Sequence, residues 1–289
     1  MTPVSTRVNV WLAPVGVRLL AGSFSQQDRR RGSRYRRSED QLRGCLSNFL
    51  LRQAAAELLG SPPDDVQIVR ICPTCHQVGD HGQPFAVTAG KIARSIHLSA
   101  THGGSWVVVA SSRDPVGVDV EPLSRVLEPT LDSLFLSPAE REKLRRSPIE
   151  SHAIQRLTTW VRKEAVLKAT GYGLAVDPSS LTLCGDSIVA YPPQLSPWLN
   201  SGARLIDAPH IEDHVTALAV LTPTPVDIVV HNPSALETDV VTDFVAPGEV
   251  KEPDQEGGHS DGDDGQPPRR PAEEDGRGHC GDEDHGQDR

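Results

Sequence analysis

Residues 116–122, VGVDVEP, form the segment on which the interpretation of this 289-residue chain depends. Valine alternates with glycine, aspartate and glutamate, as is typical of a β-strand whose successive side chains point to opposite faces. Asp119 and Glu121 are therefore expected to project on one side of the strand. Two carboxylates placed in this way suit a hard divalent cation such as Mg²⁺, although a lone Asp-x-Glu pair is more often a solvated strand face.

A second informative segment, WVRKEAVLK at residues 160–168, consists mostly of good helix formers. Trp160, Glu164 and Lys168 follow one another at intervals of four residues, which places them within one broad helix face. Glu164 and Lys168 also have the spacing of a favourable ion pair. An exposed, salt-bridged helix with an inward-facing tryptophan would explain this segment by itself, so it gains meaning only together with the strand.

The third segment, SATHGG at residues 99–104, follows a predicted strand. A single histidine at such a junction is usually structural. Small residues with a histidine can instead contact a phosphate group through backbone N–H groups and the imidazole ring.

The surrounding pattern predicts an α+β fold of two comparable halves. Each half combines a long helix, over residues 39–59 and about 152–170, with about three strands, and Ser137-Pro138 predicts the start of a further helix. The remaining strands are predicted at residues 8–13, 66–71, 95–99, 105–110, 179–183, 187–191 and 214–221. We therefore expect an N-terminal α+β half over residues 1–115 and a C-terminal α+β half, with the metal site, over 116–231.

The charge of the chain is unevenly distributed. Residues 232–289 contain 17 acidic and 5 basic residues, whereas the first 231 residues have a net charge of only +2. A segment so acidic and so poor in apolar residues cannot offset the entropy lost on folding, which predicts a disordered acidic C-terminal tail. Seven arginines between residues 29 and 43 suggest nucleic-acid contacts, but the nearly neutral body and the lack of a recognition motif argue against this function.

The five cysteines are too few and too scattered for a disulfide scaffold, which favours a reducing, cytoplasmic location. No apolar run is long enough to cross a membrane, and no secretory signal is visible. Cys72 and Cys75, with His76 or His81, have the spacing of half a zinc site. Because no second Cys-x-x-Cys pair exists, a turn with two reduced thiols is the preferred interpretation.

Together, these segments resemble the 4′-phosphopantetheinyl transferases, specifically the Sfp-type class of polyketide and nonribosomal peptide biosynthesis. The signature of that family is a G-[VI]-D-x-E strand followed by W-x-x-K-E-[AS]-x-x-K, and here Asp119 and Glu164 are 45 positions apart with every signature residue present. Residues 72–84 resemble its C-x-x-C…H-G-K-P segment, with Gln83 in place of the lysine, and residues 99–102 resemble its S-x-S-H, with Thr101 in place of the second serine. The resemblance covers roughly residues 8–222.

The resemblance implies a pseudo-dimer of two similar α+β halves that binds coenzyme A between them, acting as a monomer without nucleic-acid or membrane partners. It further implies Mg²⁺-dependent transfer of the 4′-phosphopantetheine arm from coenzyme A to a serine of an apo acyl or peptidyl carrier protein. Asp119, Glu121 and Glu164 would bind the metal, and Glu164, Lys168 and His102 would be catalytic. The implied coenzyme A ligands are Arg36, Arg37, Arg43, Gly82, Gln83, Pro84, Ser99, Thr101, His102 and Lys168.

Two other functions stay open at this point. The chain could bind coenzyme A without transferring the arm, or it could be a zinc-stabilised interaction protein built around residues 72–81. The role of Lys163 also stays open between a structural ion pair and support of the site, because this residue lies off the helix face of Glu164.

Overall fold

The structure is a computed structural model that describes residues 5–16 and 23–232. The predicted acidic tail, apart from its first residue, lies outside this range. The helices are α1 (Gln26–Gly32), α2 (Ser38–Leu59), α3 (Asp132–Phe135), α4 (Pro138–Arg146), α5 (His152–Ala169) and α6 (Ser196–Leu199). The strands are β1 (Thr6–Pro14), β2 (Gln67–Ile71), β3 (Val78–Gly79), β4 (Gln83–Thr88), β5 (Lys91–Ile92), β6 (His97–Gly103), β7 (Trp106–Ser112), β8 (Val116–Pro122), β9 (Thr182–Cys184), β10 (Ser187–Ala190), β11 (Arg204–Ile206), β12 (His214–Val220) and β13 (Val226–His231).

The strands of the described residues form four sheets. Two of them make up the centre of the fold, with strand orders β13-β1-β7-β6 and β11-β12-β8. The other two, β3-β2-β4-β5 and β10-β9, are small and antiparallel. Strand β1 is antiparallel to β7 but parallel to β13, so the last described strand returns to pair with the first.

The two central sheets pack face to face and each carries a long helix on its outer side. Valines of β1, β7 and β8 form the cluster between the sheets, together with residues of β12. Helix α2 covers the first sheet through a second cluster, and α5 covers β8 and β12 through a third. This mixture of helices and largely antiparallel sheets is the predicted α+β class. The boundaries of the two halves and their similarity stay predictions.

Strand β8 is placed tightly against α5 by a glycine. A Cβ atom at Gly117 would overlap the backbone carbonyl of Ala165 and the backbone nitrogen of Ala169. Only glycine permits so close an approach of helix to strand, which accounts for the first residue of the Gly-Val-Asp-x-Glu motif. The contact fixes which residues of α5 face the polar side chains of β8.

The long helices and most strands lie where the sequence predicts them, and the differences have local causes. The strand predicted at 179–183 is shorter, because Pro178–Ser180 form a 3₁₀ turn in which the Asp177 carboxylate accepts a hydrogen bond from the Ser179 N–H. Strands β4 and β13 were not anticipated. Strand β4 contains Pro84, a residue that argues against a strand in sequence-based prediction. Strand β13 is a half-exposed edge strand with little hydrophobic alternation.

Candidate active site

The two carboxylates of β8 lie on one face of the strand, as the alternation predicts. Val118 and Val120 point into the core between the sheets, so Asp119 and Glu121 point towards α5. Asp119 is only 4% exposed, and its Oδ1 atom accepts hydrogen bonds from Thr101 Oγ1 at 2.8 Å and from Lys168 Nζ at 2.6 Å. This carboxylate is therefore held in one orientation by two neighbouring elements.

Helix α5 presents Glu164 and Lys168 to these carboxylates. Lys168 Nζ lies 3.9 Å from Glu164 Oε2, the predicted i,i+4 ion pair, while it also binds Asp119. Burial, and then the negative charge of Asp119, raises the pKa of Glu164 against the opposing charge of Lys168. Burial would lower the pKa of Lys168, but the charges of Asp119 and Glu164 outweigh it and raise the pKa. The Glu164 carboxylate is therefore a stronger proton acceptor than an ordinary glutamate, and Lys168 keeps its charge.

The donor set fits a divalent cation. The second oxygen of Asp119, Oδ2, is buried and has no hydrogen-bond partner. Burial of such an oxygen destabilises the fold unless a ligand such as a cation binds it. Burial is the main reason that the pKa of Glu121 rises to about 7, and the charges of Asp119 and Glu164 add to it. Carboxylate oxygens are the donors that Mg²⁺ prefers, although the oxygens of Asp119, Glu121 and Glu164 do not all lie within 4.8 Å of one another. In this structure Lys168 balances Asp119 and Arg125 pairs with Glu121, so protein cations supply the positive charge.

A cleft of about 480 Å³ opens beside this cluster. It has the size of a small-molecule site and combines apolar walls with charged groups at one end. Its lining comes from the segment before and within β4, from β6, from the end of α5 and from the turn after it: Cys72, Pro73, Thr74, His81, Gly82, Gln83, Pro84, Leu98, Ser99, Ala100, Glu164, Lys168 and residues 171–175. Six of the predicted site residues, Gly82, Gln83, Pro84, Ser99, Glu164 and Lys168, thus line one cleft.

One wall of the cleft is shaped by Gly82. Its φ angle is +99°, and a Cβ atom there would overlap the Ile71 carbonyl, so glycine is required on both counts. The next residue, Gln83, reaches the opposite wall, where its Oε1 atom lies against Gly171. The amide side chain that replaces the family's lysine therefore faces the turn after α5.

Ser99 and Thr101 lie differently from His102. The backbone N–H of Val118 donates to Ser99 Oγ at 3.1 Å, and Thr101 donates to Asp119, so both hydroxyl groups face β8. His102 points to the other face of β6 and is exposed. Partial loss of water around its ring, and then the positive charges of Arg43 and Lys168, lower the pKa of His102.

The predicted arginines fall into two groups. Arg43 donates to Glu39, to Asp40 and to the Gly104 carbonyl, which ties α2 to the end of β6 near His102. Arg36 and Arg37 are exposed just before and at the N-cap of α2 and are not among the residues that line the cleft.

Lys163 is a structural residue rather than part of the site. Its side chain is fully buried, and Nζ donates to the Phe135 carbonyl at 2.7 Å, to Glu140 Oε2 at 2.5 Å and to the Pro178 carbonyl at 3.0 Å. The alternative left open by the sequence is therefore decided in favour of a buried ion pair.

Sequence reasoning missed two features of the site. Arg125 pairs with Glu121 and lies over the ring of Trp160, with its guanidinium carbon 5.9 Å from the centroid. Residues 171–175 line the cleft, although their glycines were interpreted only as the end of α5. A glycine-rich turn directly after a motif helix is the signal that could have indicated the second feature.

Comparison with known proteins supports the class that these motifs indicate. Residues 115–219, which contain the carboxylates of β8 and the motif of α5, match the family described as the 4′-phosphopantetheinyl transferase superfamily. The match confirms the resemblance to this family that the sequence indicates, over the segment that carries the two motifs.

Individual relatives agree with this match. The chain is 26% identical over 166 residues to a 4′-phosphopantetheinyl transferase of Bacillus subtilis, covering 57% of this chain and 67% of the relative. It is 27% identical to a 4′-phosphopantetheinyl transferase of Bacillus pumilus, covering 55% of this chain and 62% of that protein. A third relative, the 4′-phosphopantetheinyl transferase HetI of Nostoc, is 29% identical, with 61% and 73% covered. Among the described residues, no helix has the length and apolar character of a membrane span.

Proposed function

We propose that this protein transfers the 4′-phosphopantetheine arm of coenzyme A to a serine of an apo carrier protein. In this reaction the serine oxygen forms a bond to the β-phosphorus of coenzyme A. The bond from that phosphorus to the bridging oxygen breaks, and adenosine 3′,5′-bisphosphate leaves with the electron pair. The serine proton passes to a base on the protein.

This proposal rests on the position of the acidic residues around Lys168 at one end of the cleft. Lys168 contacts both Asp119 and Glu164, and Glu164 and Lys168 also line the 480 Å³ cleft. A pyrophosphate at this end of the cleft would meet a lysine and a cation-binding carboxylate set, whereas the apolar walls would accept the rest of a nucleotide.

Two residues of α5 have chemical roles in this scheme. Glu164, which lines the cleft beside Lys168, accepts the proton of the carrier serine. Lys168 keeps its positive charge and stabilises the negative charge that develops on the leaving group. The carboxylates Asp119, Glu121 and Glu164 would hold Mg²⁺, which when bound neutralises pyrophosphate charge.

The remaining predicted contacts divide by position. Gly82, Gln83 and Pro84 would line the adenine, since they form the wall of the cleft next to the turn after α5. Arg43 and His102 would meet phosphate groups on the outer face of β6, where the pKa of His102 reflects the charge of Arg43. Ser99 lines the cleft, whereas the contact between Thr101 and Asp119 favours a positioning role for Thr101.

The direct test is intact-mass spectrometry of an apo carrier protein incubated with coenzyme A, Mg²⁺ and this protein. We expect the mass of one phosphopantetheine to be added by the wild type and transfer to slow by about a hundredfold or more with Glu164→Gln, which has the same shape but cannot accept the proton. Glu150→Gln, at an exposed position just before the same helix, is the matched control and should react like the wild type.

The outcomes separate the candidate functions. Coenzyme A binding without transfer to any of several carriers would favour a protein that only binds the cofactor. Equal rates for Glu164→Gln and the wild type would remove Glu164 from its proposed role.

Arg43 provides a second prediction. If it binds the 3′-phosphate, Arg43→Ala should raise the KM for coenzyme A by about tenfold or more, the value of a charge-assisted hydrogen bond. The KM for 3′-dephospho-coenzyme A should be the same for variant and wild type. Arg145→Ala, at an exposed position of α4, serves as the control. An equal rise in KM of Arg43→Ala for both substrates would show that Arg43 acts only by holding α2 to β6.

A further inference from the structure

A cluster of sulfur and nitrogen ligands lies at the cleft wall, outside the proposed reaction. Cys72 Sγ, Cys75 Sγ and one ring nitrogen of His81 all lie within 4.8 Å of one another. Among the described residues, this is the only group of three or more histidine, cysteine or acidic side chains whose ligand atoms lie so close together. The carboxylate oxygens of β8 and α5 do not form such a group.

The backbone holds these three residues in place without a metal. A tight turn after β2 is closed by hydrogen bonds from the His76 N–H to the Cys72 carbonyl at 2.9 Å and from the Cys72 N–H to the Gln77 carbonyl at 3.2 Å. Within the turn, the N–H of Cys75 donates to Cys72 Sγ at 3.4 Å. Such an N–H bond favours a negatively charged sulfur, which is the form that binds metals.

His81 is brought to the turn by its neighbour. Because Gly82 packs directly on the backbone of Ile71 and Cys72, the preceding residue must lie beside the cysteines. His81 Nε2 is 3.6 Å from Cys75 Sγ. A tetrahedral zinc ion with Zn–S of about 2.3 Å and Zn–N of about 2.0 Å would separate such a pair by about 3.5 Å, close to the distance found.

We propose that Cys72, Cys75 and His81 form a zinc site whose three protein ligands leave the fourth position open. Two thiolates and an imidazole match Zn²⁺ in ligand type, whereas Mg²⁺ requires oxygen ligands. The site is separate from the carboxylates that would hold Mg²⁺. Since Cys72 and His81 also line the cleft, bound zinc would stiffen the wall formed by residues 82–84.

Metal analysis of the reduced, full-length protein after loading with Zn²⁺ and gel filtration tests this proposal. We expect Cys75→Ser and His81→Ala, both at exposed positions, each to bind about one zinc equivalent fewer than the wild type. Cys184→Ser, another exposed free cysteine, and His76→Ala, an exposed histidine of the same turn, are the matched controls and should keep the full amount. Any zinc bound by histidines outside the described residues adds equally to the zinc content of every variant. The test therefore compares the zinc content of each variant with that of the wild type.

Cobalt substitution gives an independent readout. Co²⁺ in the proposed site should produce thiolate-to-metal absorption bands in the wild type and in Cys184→Ser, and these bands should be absent in Cys75→Ser. Zinc content that is equal in the wild type, Cys75→Ser and His81→Ala would overturn the proposal, as would wild-type protein without thiolate bands. Neither measurement depends on transfer activity, so the outcome is independent of the proposed reaction.

Discussion

We expect Asp119→Asn to lower the rate of arm transfer by at least about a hundredfold while the protein stays folded. Asparagine retains an oxygen at Oδ1, so the hydrogen bonds from Thr101 and Lys168 can remain. What is lost is the charge and the second oxygen, Oδ2, which is buried without a partner in the structure. The substitution therefore removes a cation ligand and leaves the local packing unchanged.

The same reasoning predicts how Asp119→Asn responds to Mg²⁺. With one carboxylate fewer, half-maximal transfer should require a higher Mg²⁺ concentration than in the wild type. Steady-state kinetics across a Mg²⁺ series, with thermal unfolding as a check on folding, provides the measurement. Asp227→Asn makes the same charge change on the exposed edge strand β13 and should match the wild type. An unchanged Mg²⁺ dependence would contradict the assignment of Asp119 as a ligand.

The parts of the fold that sequence predicts well are those with a strong local pattern. Helix α2 begins one residue from its predicted start and ends at Leu59 as predicted, because apolar residues recur at helical spacing along its length. Strand β8 follows from the alternation of valine with polar residues. The pairing of β1 with β13 joins residues about 220 positions apart, and no local pattern encodes such a contact.

The site was predictable to a similar extent. Spacing predicts that Asp119 and Glu121 share a strand face and that Glu164 and Lys168 share a helix face, whereas only the family resemblance joins the two faces. Alternation along β6 places His102 on the opposite face from the hydroxyl groups of Ser99 and Thr101, which the segment's composition by itself does not indicate. Arg125 was missed because its ion pair with Glu121 depends on how the chain turns after β8.

Lys163→Met should destabilise the protein by about 3–5 kcal/mol, because it leaves a buried carboxylate without its counter-ion. Glu140 is 8% exposed, and it also accepts hydrogen bonds from the Ser137 and Leu183 N–H groups. The Lys163–Glu140 pair therefore connects α5 to the start of α4 and to β9. Burial lowers the pKa of Lys163, and the charges of Glu140 and Asp177 oppose this effect.

A pair of variants distinguishes a buried ion pair from simple packing. Lys143→Met makes the same chemical change at an exposed position of α4 and should alter the free energy of unfolding by less than about 0.5 kcal/mol. Adding Glu140→Gln to Lys163→Met removes the unpaired charge, so the double variant should recover much of the lost stability. Urea unfolding followed by circular dichroism measures all three. If Lys163→Met were as stable as the wild type, or if the double variant were less stable than Lys163→Met, the ion pair would not be what holds α5 to α4.

Because Lys163 Nζ contacts α3, α4 and the turn before β9 rather than the cleft, folded Lys163→Met should transfer the arm at nearly the wild-type rate.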